Sequence, residues 1–94
     1  MRNKMKKYII ERNIPSIGKF DDATLKGASI KSCDALNQVG SSVQWVESYV
    51  TGDKTFCVYL AEDESYIKKH AEISGFPANT ITEVITMISP VTAG

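Results

Sequence analysis

The sequence has few cysteines and no long hydrophobic run. Its 94 residues include two cysteines, Cys33 and Cys57, whose number and spacing fit neither a disulfide framework nor a zinc ribbon. We interpret both as buried thiols. No apolar stretch reaches the length of a membrane span, and the run that follows the basic start, residues 8–10, is too short for a secretory signal. These absences predict a cytoplasmic protein with no membrane partner.

An excess of charge of either sign is also missing. Eleven basic residues balance eleven acidic ones, and the charges are scattered apart from a short basic start at residues 2–7. Binding to a phosphate backbone requires a dense basic patch, so we expect no nucleic-acid partner. A glycine-rich phosphate loop, a Ser-His-Asp arrangement and a CxxC pair are absent too. Any chemistry must therefore come from dispersed residues.

The length and the order of local patterns predict one α+β domain spanning residues 1–94, with residues 1–5 flexible and residues 90–94 as a tail. A β-rich run over residues 6–14 is stopped by Pro15. Asp21 or Asp22 can cap a first helix that ends at Gly40, and Asp63 can cap a second helix that ends at Gly75. A last strand is predicted over residues 81–88.

Between the two helices the apolar period changes to two, which predicts a β-hairpin over residues 43–61. Gly52 and Asp53 suit a two-residue type II′ turn, because glycine tolerates the positive φ of the first central position. This register places Glu47, Tyr49, Trp45 and their cross-strand partners Val58, Phe56 and Leu60 on one face of the sheet. A three-residue loop would reverse the faces.

These elements occur in the order β-α-β-β-α-β, which predicts the ferredoxin-like fold, a four-stranded antiparallel sheet with two helices on one face. The uncovered face would carry Trp45, Glu47, Tyr49 and Phe56. A domain this small with a wide apolar face exposed is normally covered by a second copy. We therefore expect a homodimer whose open faces meet.

Four residues are candidates for a site. His70 is the single histidine, and its place on the inward arc of the second helix suits either a metal ligand or a hydrogen-bonded packing residue. Glu11, Glu47 and Glu83 interrupt β-rich runs, and a carboxylate removed from water must be paired, protonated or bound to a metal. Glu11 and Glu83 have an alternative role, in which they face solvent or pair with cations such as Arg12 and Lys54.

Three segments resemble a known family: YIIERNIP at residues 8–15, QWVESYVTGDKTFCVYLAEDES at residues 44–65 and IKKHAEISGFPANTITEV at residues 67–84. They are similar to a small bacterial family of unknown function whose members include a nickel-binding protein with a dimeric ferredoxin-like α/β-barrel. The resemblance implies a homodimer and a bound divalent metal, nickel or another transition metal. Some similar sequences have histidine where this chain has Glu47, and the carboxylate favours harder cations.

The sequence therefore favours a homodimeric protein that binds a metal ion or another small ligand, with His70, Glu47, Glu83 and Glu11 as the candidate ligands. An enzyme is the alternative, because dimeric ferredoxin-like barrels also include monooxygenases and haem-degrading proteins that use a helix histidine beside a cleft. That alternative rests on analogy of fold. A structural or regulatory dimer without a ligand is the third interpretation.

Overall fold

The computed structural model describes residues 5–94, so the first four of the five residues predicted to be flexible lie outside the described residues. The described chain folds as α+β, with four strands and two α-helices in the predicted order: β1 (Lys6–Asn13), α1 (Asp22–Val39), β2 (Val43–Val50), β3 (Lys54–Ala61), α2 (Glu64–Ser74) and β4 (Thr80–Val84). Two short 3-10 helices complete it, Ile17–Lys19 and Pro90–Ala93. Within residues 5–94, no helix is both long enough and apolar enough to cross a membrane.

The strands form one antiparallel sheet in the order β2-β3-β1-β4. Tyr8 and Ile10 of β1, together with the alternate residues of β3, pack against Ile67 of α2 and Leu36 of α1. Both helices thus cover the same face of the sheet, as the ferredoxin-like prediction requires. The opposite face has no helix on it among the described residues.

The helix ends follow the predicted local chemistry. Asp21 caps α1 by accepting a hydrogen bond from the backbone N–H of Thr24 at 2.8 Å, and Asp63 caps α2 by accepting one from Ser65 at 2.8 Å. Gly40 and Gly75 end the two helices with φ values of 99° and 79°, a region that glycine adopts without a Cβ penalty. Capping residues therefore delimit both helices.

The hairpin differs from the prediction at one residue, Val46. Tyr49 pairs with Phe56 and Glu47 with Val58, as predicted, but a β-bulge then shifts the ladder so that Trp45 pairs with Tyr59 rather than Leu60. A bulge places two residues of one strand opposite one residue of its partner, which reverses the alternation beyond it. Trp45 is therefore on the helix-covered side, where its indole Nε1–H donates to Ser48 Oγ at 2.8 Å.

The turn of this hairpin has the predicted length but a different geometry. Thr51 N donates to Lys54 O, which leaves Gly52 and Asp53 as the two loop residues. Gly52 does not have the positive φ of a type II′ turn, so that prediction is wrong. The segment after β1 holds this turn through two backbone hydrogen bonds: Gly18 N donates to Gly52 O at 3.0 Å, and Ile14 N donates to Asp53 O at 2.9 Å.

Two further predictions are corrected. The last strand ends at Val84 rather than residue 88, because its partner β1 begins at Lys6, with Lys7 opposite Val84, and within residues 5–94 no strand pairs with the residues that follow. Cys33 is exposed on α1, and only Cys57 is a buried thiol. The helical stripe that points inward leaves position 33 on the outer side, since its neighbour Ser32 is the buried residue.

Candidate functional site

The four residues predicted to bind metal lie in three different places. His70 is in the helix layer, whereas Glu47 and Glu11 are on the open face of the sheet. Glu83 is exposed on the edge strand β4, opposite Tyr8. Across residues 5–94, no group of three or more His, Cys, Asp or Glu side chains is arranged to hold a metal ion. A single copy of the described chain therefore does not bring the predicted ligands together.

His70 is fully buried between the two helices and the sheet. Its Nε2 lies 3.1 Å from the carbonyl oxygen of Ser32 and 3.2 Å from the Ser32 hydroxyl, and its ring centre is 5.5 Å from that of Tyr59. A carbonyl oxygen can only accept, so Nε2 carries the proton in that bond and Nδ1 is an acceptor without a partner. The sequence-based alternative of a hydrogen-bonded packing residue fits this environment.

The electrostatics keep His70 neutral. Burial lowers the pKa of His70, the hydrogen bond to the Ser32 carbonyl opposes that shift, and the positive charge of Arg12 adds to it. Burial also raises the pKa of the Tyr59 hydroxyl, and Arg12 partly offsets this by lowering it. The immediate surroundings of His70 therefore combine a neutral imidazole, a neutral phenol and a cation.

That cation is Arg12, which is 3% exposed. Its Nη1 donates to the carbonyl oxygen of Pro77 at 2.9 Å and to that of Phe76 at 3.4 Å, and its Nη2 donates to the Tyr59 hydroxyl at 3.4 Å. Its guanidinium carbon also lies 5.8 Å from the centre of the Tyr59 ring. The loop after α2 thus holds the guanidinium in place through carbonyl dipoles.

Arg12 is not among the site residues predicted from the sequence, which gives it only as an ion-pair partner for Glu11 or Glu83; within residues 5–94 it forms neither pair. Tyr8, Ile10 and Arg12 follow one another at every second position of β1, so the alternation that predicts a buried tyrosine and isoleucine also places the arginine on the buried face. A buried arginine is rare unless it is paired. This alternation is the sequence signal that indicates a buried Arg12.

Beside Arg12, a cavity of about 130 Å³ lies between α1 and the covered face of the sheet. Its walls are mainly apolar and aromatic, and Arg12 is the one charged residue among the described residues that line it. His70 does not line this cavity, because Ser32 and Tyr59 form the nearest part of its wall. The cavity includes Phe20, Trp45, Tyr59 and Phe76.

The open face has a second cleft, of about 520 Å³. Glu47 lies in it and accepts a hydrogen bond from the hydroxyl of Tyr49. Apolar residues such as Ile9, Val46 and Val58 line the same cleft, residues 86–88 beyond β4 form one side, and Lys7 is a cation in its wall. Glu11, on the same face, pairs with Lys54 at 3.7 Å, which is the alternative role predicted for it. Glu47 is therefore a carboxylate within a largely apolar surface that also contains Lys7.

The fold defines the chain as a ferredoxin-like α+β domain. Residues 8–84 match the family described as "Nickel responsive protein SCO4226-like", and the chain belongs to that family. The resemblance found in its sequence motifs is thus confirmed. No curated protein matches the chain.

Among solved structures, the crystal structure of SCO4226 from Streptomyces coelicolor A3(2) is similar to this chain, with a TM-score of 0.73 and 12% sequence identity. The match covers 87% of this chain and 99% of that chain. At this identity the likeness shows the fold alone.

Proposed function

We propose that this protein is a homodimer that binds a divalent transition metal at the interface where the open faces of two copies meet. Nickel is the metal that we expect first. The observation that carries the proposal is the position of Glu47, an exposed carboxylate inside a largely apolar cleft. Membership of a family described as nickel responsive supports the choice of metal. The compartment that we expect is the cytoplasm.

The open face supports the dimer. Ile9, Val46 and Tyr49 are 38%, 50% and 56% exposed, and Ile85, Met87 and Ile88 extend the apolar surface with exposures of 86%, 71% and 76%. Contiguous apolar surface of this kind marks an interaction site. Two copies related by a two-fold axis would each contribute the same patch, as closed symmetric dimers do.

The negative charge of Glu47 supports the proposal that a metal ion binds at this interface. When a second copy covers the open face, its carboxylate loses water and needs a cation or a proton. A divalent ion shared by Glu47 residues of both copies would meet that need, with the Tyr49 hydroxyl supporting each carboxylate. One chain alone does not fit a metal ion, because its described residues lack a ligand cluster, so the site requires the second copy.

The other predicted ligands have weaker support. Glu11 pairs with Lys54, Glu83 is exposed away from Glu47, and His70 is enclosed with only Nδ1 unpartnered. We therefore place Glu47 first in the ligand set, and the contributions of His70, Glu83 and Glu11 remain predictions. A carboxylate-rich site binds nickel less selectively than an imidazole-rich one.

The test combines light scattering with calorimetry on protein purified without a tag and stripped with a chelator. We expect a dimer, Ni²⁺ binding, and roughly tenfold or greater weakening in Glu47→Gln. Glu72→Gln removes another exposed carboxylate, on α2, and should leave the affinity unchanged. A monomer, or a Glu47→Gln variant with wild-type affinity, would overturn the proposal. Unchanged affinity in His70→Gln would remove His70 from the ligand set.

The alternative function, a monooxygenase or haem-degrading enzyme, requires His70 to face a cleft. The structure buries His70 fully behind Ser32 and Tyr59. The nearby cavity of about 130 Å³ is also well below the 300–1,000 Å³ of sites for larger ligands. No observation favours this enzyme class, and we do not propose it.

A further inference from the structure

The charge of Arg12 has no carboxylate partner within the described chain. The ion pairs of residues 5–94 are Lys54 with Glu11 and Lys68 with Glu64, and neither includes Arg12. Carbonyl dipoles and the Tyr59 hydroxyl bind part of the guanidinium. A buried cation is strongly disfavoured unless an anion or several dipoles compensate it. The environment of Arg12 is therefore suited to an anion.

Among the described residues that line the cavity with Arg12, none has a negative charge that would repel an anion. Its hydroxyl groups already have partners: Ser48 accepts from Trp45 Nε1 at 2.8 Å, and Ser29 donates to the Leu25 carbonyl at 2.9 Å. The rest of the wall is largely apolar. In such a low-dielectric site, a charge-assisted bond to a guanidinium is stronger than in water. A ligand would therefore combine one anionic group with an apolar body.

The size and the aromatic walls define that body. An engineered apolar cavity of about 150 Å³ admits benzene, and this cavity measures about 130 Å³ with one side open. Trp45, Phe20 and Phe76 supply ring surfaces, which favour contact with another aromatic ring. Arginine binds carboxylates through two parallel hydrogen bonds. We propose that this cavity binds a small aromatic carboxylate of about the size of benzoate, with Arg12 as the partner of its carboxylate.

The wild-type protein provides the first test. Trp45 is the only tryptophan of the chain and lines the cavity, so its fluorescence reports on the site, and calorimetry gives the affinity. With chelator-stripped protein, benzoate should bind, the neutral analogue benzamide should bind about ten- to a hundredfold more weakly, and the cation benzylamine should not bind. Absence of benzoate binding with a Kd below about 1 mM, or equal binding of benzamide, would overturn the proposal.

Variants locate the site. Arg12→Met should weaken benzoate binding about ten- to a hundredfold, whereas Lys26→Met, which removes the same charge from the exposed side of α1, should have no effect. Because Arg12 is buried, its loss can unfold the chain, and circular dichroism checks this. Ala28→Leu is the second variant: it fills the cavity from α1 and leaves Arg12 in place. Undiminished benzoate binding in a folded Arg12→Met or Ala28→Leu variant contradicts the assignment.

Discussion

The Nε2 atom of His70 lies 3.1 Å from the carbonyl oxygen and 3.2 Å from the hydroxyl of Ser32, so hydrogen bonding at one residue ties α2 to the middle of α1. The remaining nitrogen, Nδ1, is buried without a partner. Protonating it would place a second positive charge near Arg12, which already lowers the pKa of His70. This geometry makes the helix packing sensitive to acid.

The first prediction concerns that sensitivity. Because burial lowers the His70 pKa below its ordinary value of 6.5, the unfolded chain binds a proton at a higher pH than the folded chain. Stability should therefore be unaffected above about pH 7.5 and should fall as the pH drops below about 6.5, by at most about 1.4 kcal/mol per pH unit, until the folded pKa is passed. Urea unfolding between about pH 7.5 and pH 5 measures this slope.

The matched variant is His70→Gln, which can keep an N–H donor for the Ser32 carbonyl and has no titrating ring. His70 is the only histidine, so the variant should be less stable at neutral pH because ring packing on Tyr59 is lost, yet its stability should change less between pH 7.5 and pH 6. An equally steep loss of stability in the variant over this range would assign the acid sensitivity to other groups.

The second prediction contrasts two glycines. Gly75 ends α2 with a φ of 79°, and a Cβ there would meet only the end of the Lys31 side chain at 3.7 Å. Gly75→Ala should therefore cost about 1–2 kcal/mol of unfolding free energy through backbone conformation alone, without a steric clash.

Gly27→Ala is its control, because Gly27 lies inside α1 and a Cβ there meets nothing within 4 Å. Alanine has the higher helix propensity, so this change should stabilise the chain by about 0.5–1 kcal/mol. Thermal or urea unfolding measures the change in unfolding free energy for each of the two variants. Changes of the same sign would contradict the assignment of Gly75 as a left-handed helix end.

The sequence predicted most of the fold because the relevant signals are local. Asp21, Gly40 and Gly75 act within one helical turn, and the positions of Gly52 and Asp53 set the length of the hairpin loop. The strand pattern also placed Glu47 opposite Val58, on the open face. These features depend on near neighbours in the sequence, which is why they could be read from it.

The cavity site could not be predicted in the same way. Its wall combines residues of β1, α1, β2, β3 and the loop after α2, and only the fold brings these together. The bulge at Val46 also could not be predicted, because it depends on contacts between distant parts of the chain. The local sequence alternates like a regular strand, whereas the indole of Trp45 packs on the helix side, against the core. Tertiary packing overrides local alternation at this position.

The third prediction concerns Gly18, where the loop after β1 meets the hairpin turn. A Cβ at Gly18 would lie 2.8 Å from the backbone oxygen of Thr51 and 2.9 Å from the Cα of Gly52. Both are backbone atoms, so the loop itself must move, and the hydrogen bond from Gly18 N to Gly52 O would weaken. Gly18→Ala should destabilise the chain by about 1–3 kcal/mol, measured by urea unfolding.

Hydrogen exchange gives a second readout for this variant. The amide of Ile14 donates to Asp53 O across the same contact, so its protection should fall together with that of Gly18. Amides in the middle of the ladder between β1 and β3, such as that of Ile10, should keep their protection relative to global unfolding. Unchanged stability and protection would mean that the close approach is not maintained in solution.

The last prediction tests the bulge by deletion. Trp45 pairs with Tyr59 and Glu47 with Val58, and these partners are consecutive, so Val46 is the additional residue of the ladder. Removing Val46 should leave every other pair in register and cost less than about 1.5 kcal/mol, because its side chain is half exposed. Removing Ser48 instead would reverse the faces of the strand on one side of the deletion and should cost about 3 kcal/mol or more.

Urea unfolding compares the stability of the two deletion variants. Trp45 emission should stay unchanged in the variant that lacks Val46, since the indole keeps its place beside Ser48. Equal destabilisation by both deletions would show that the bulge is required for folding, because the register argument alone predicts a large difference between them.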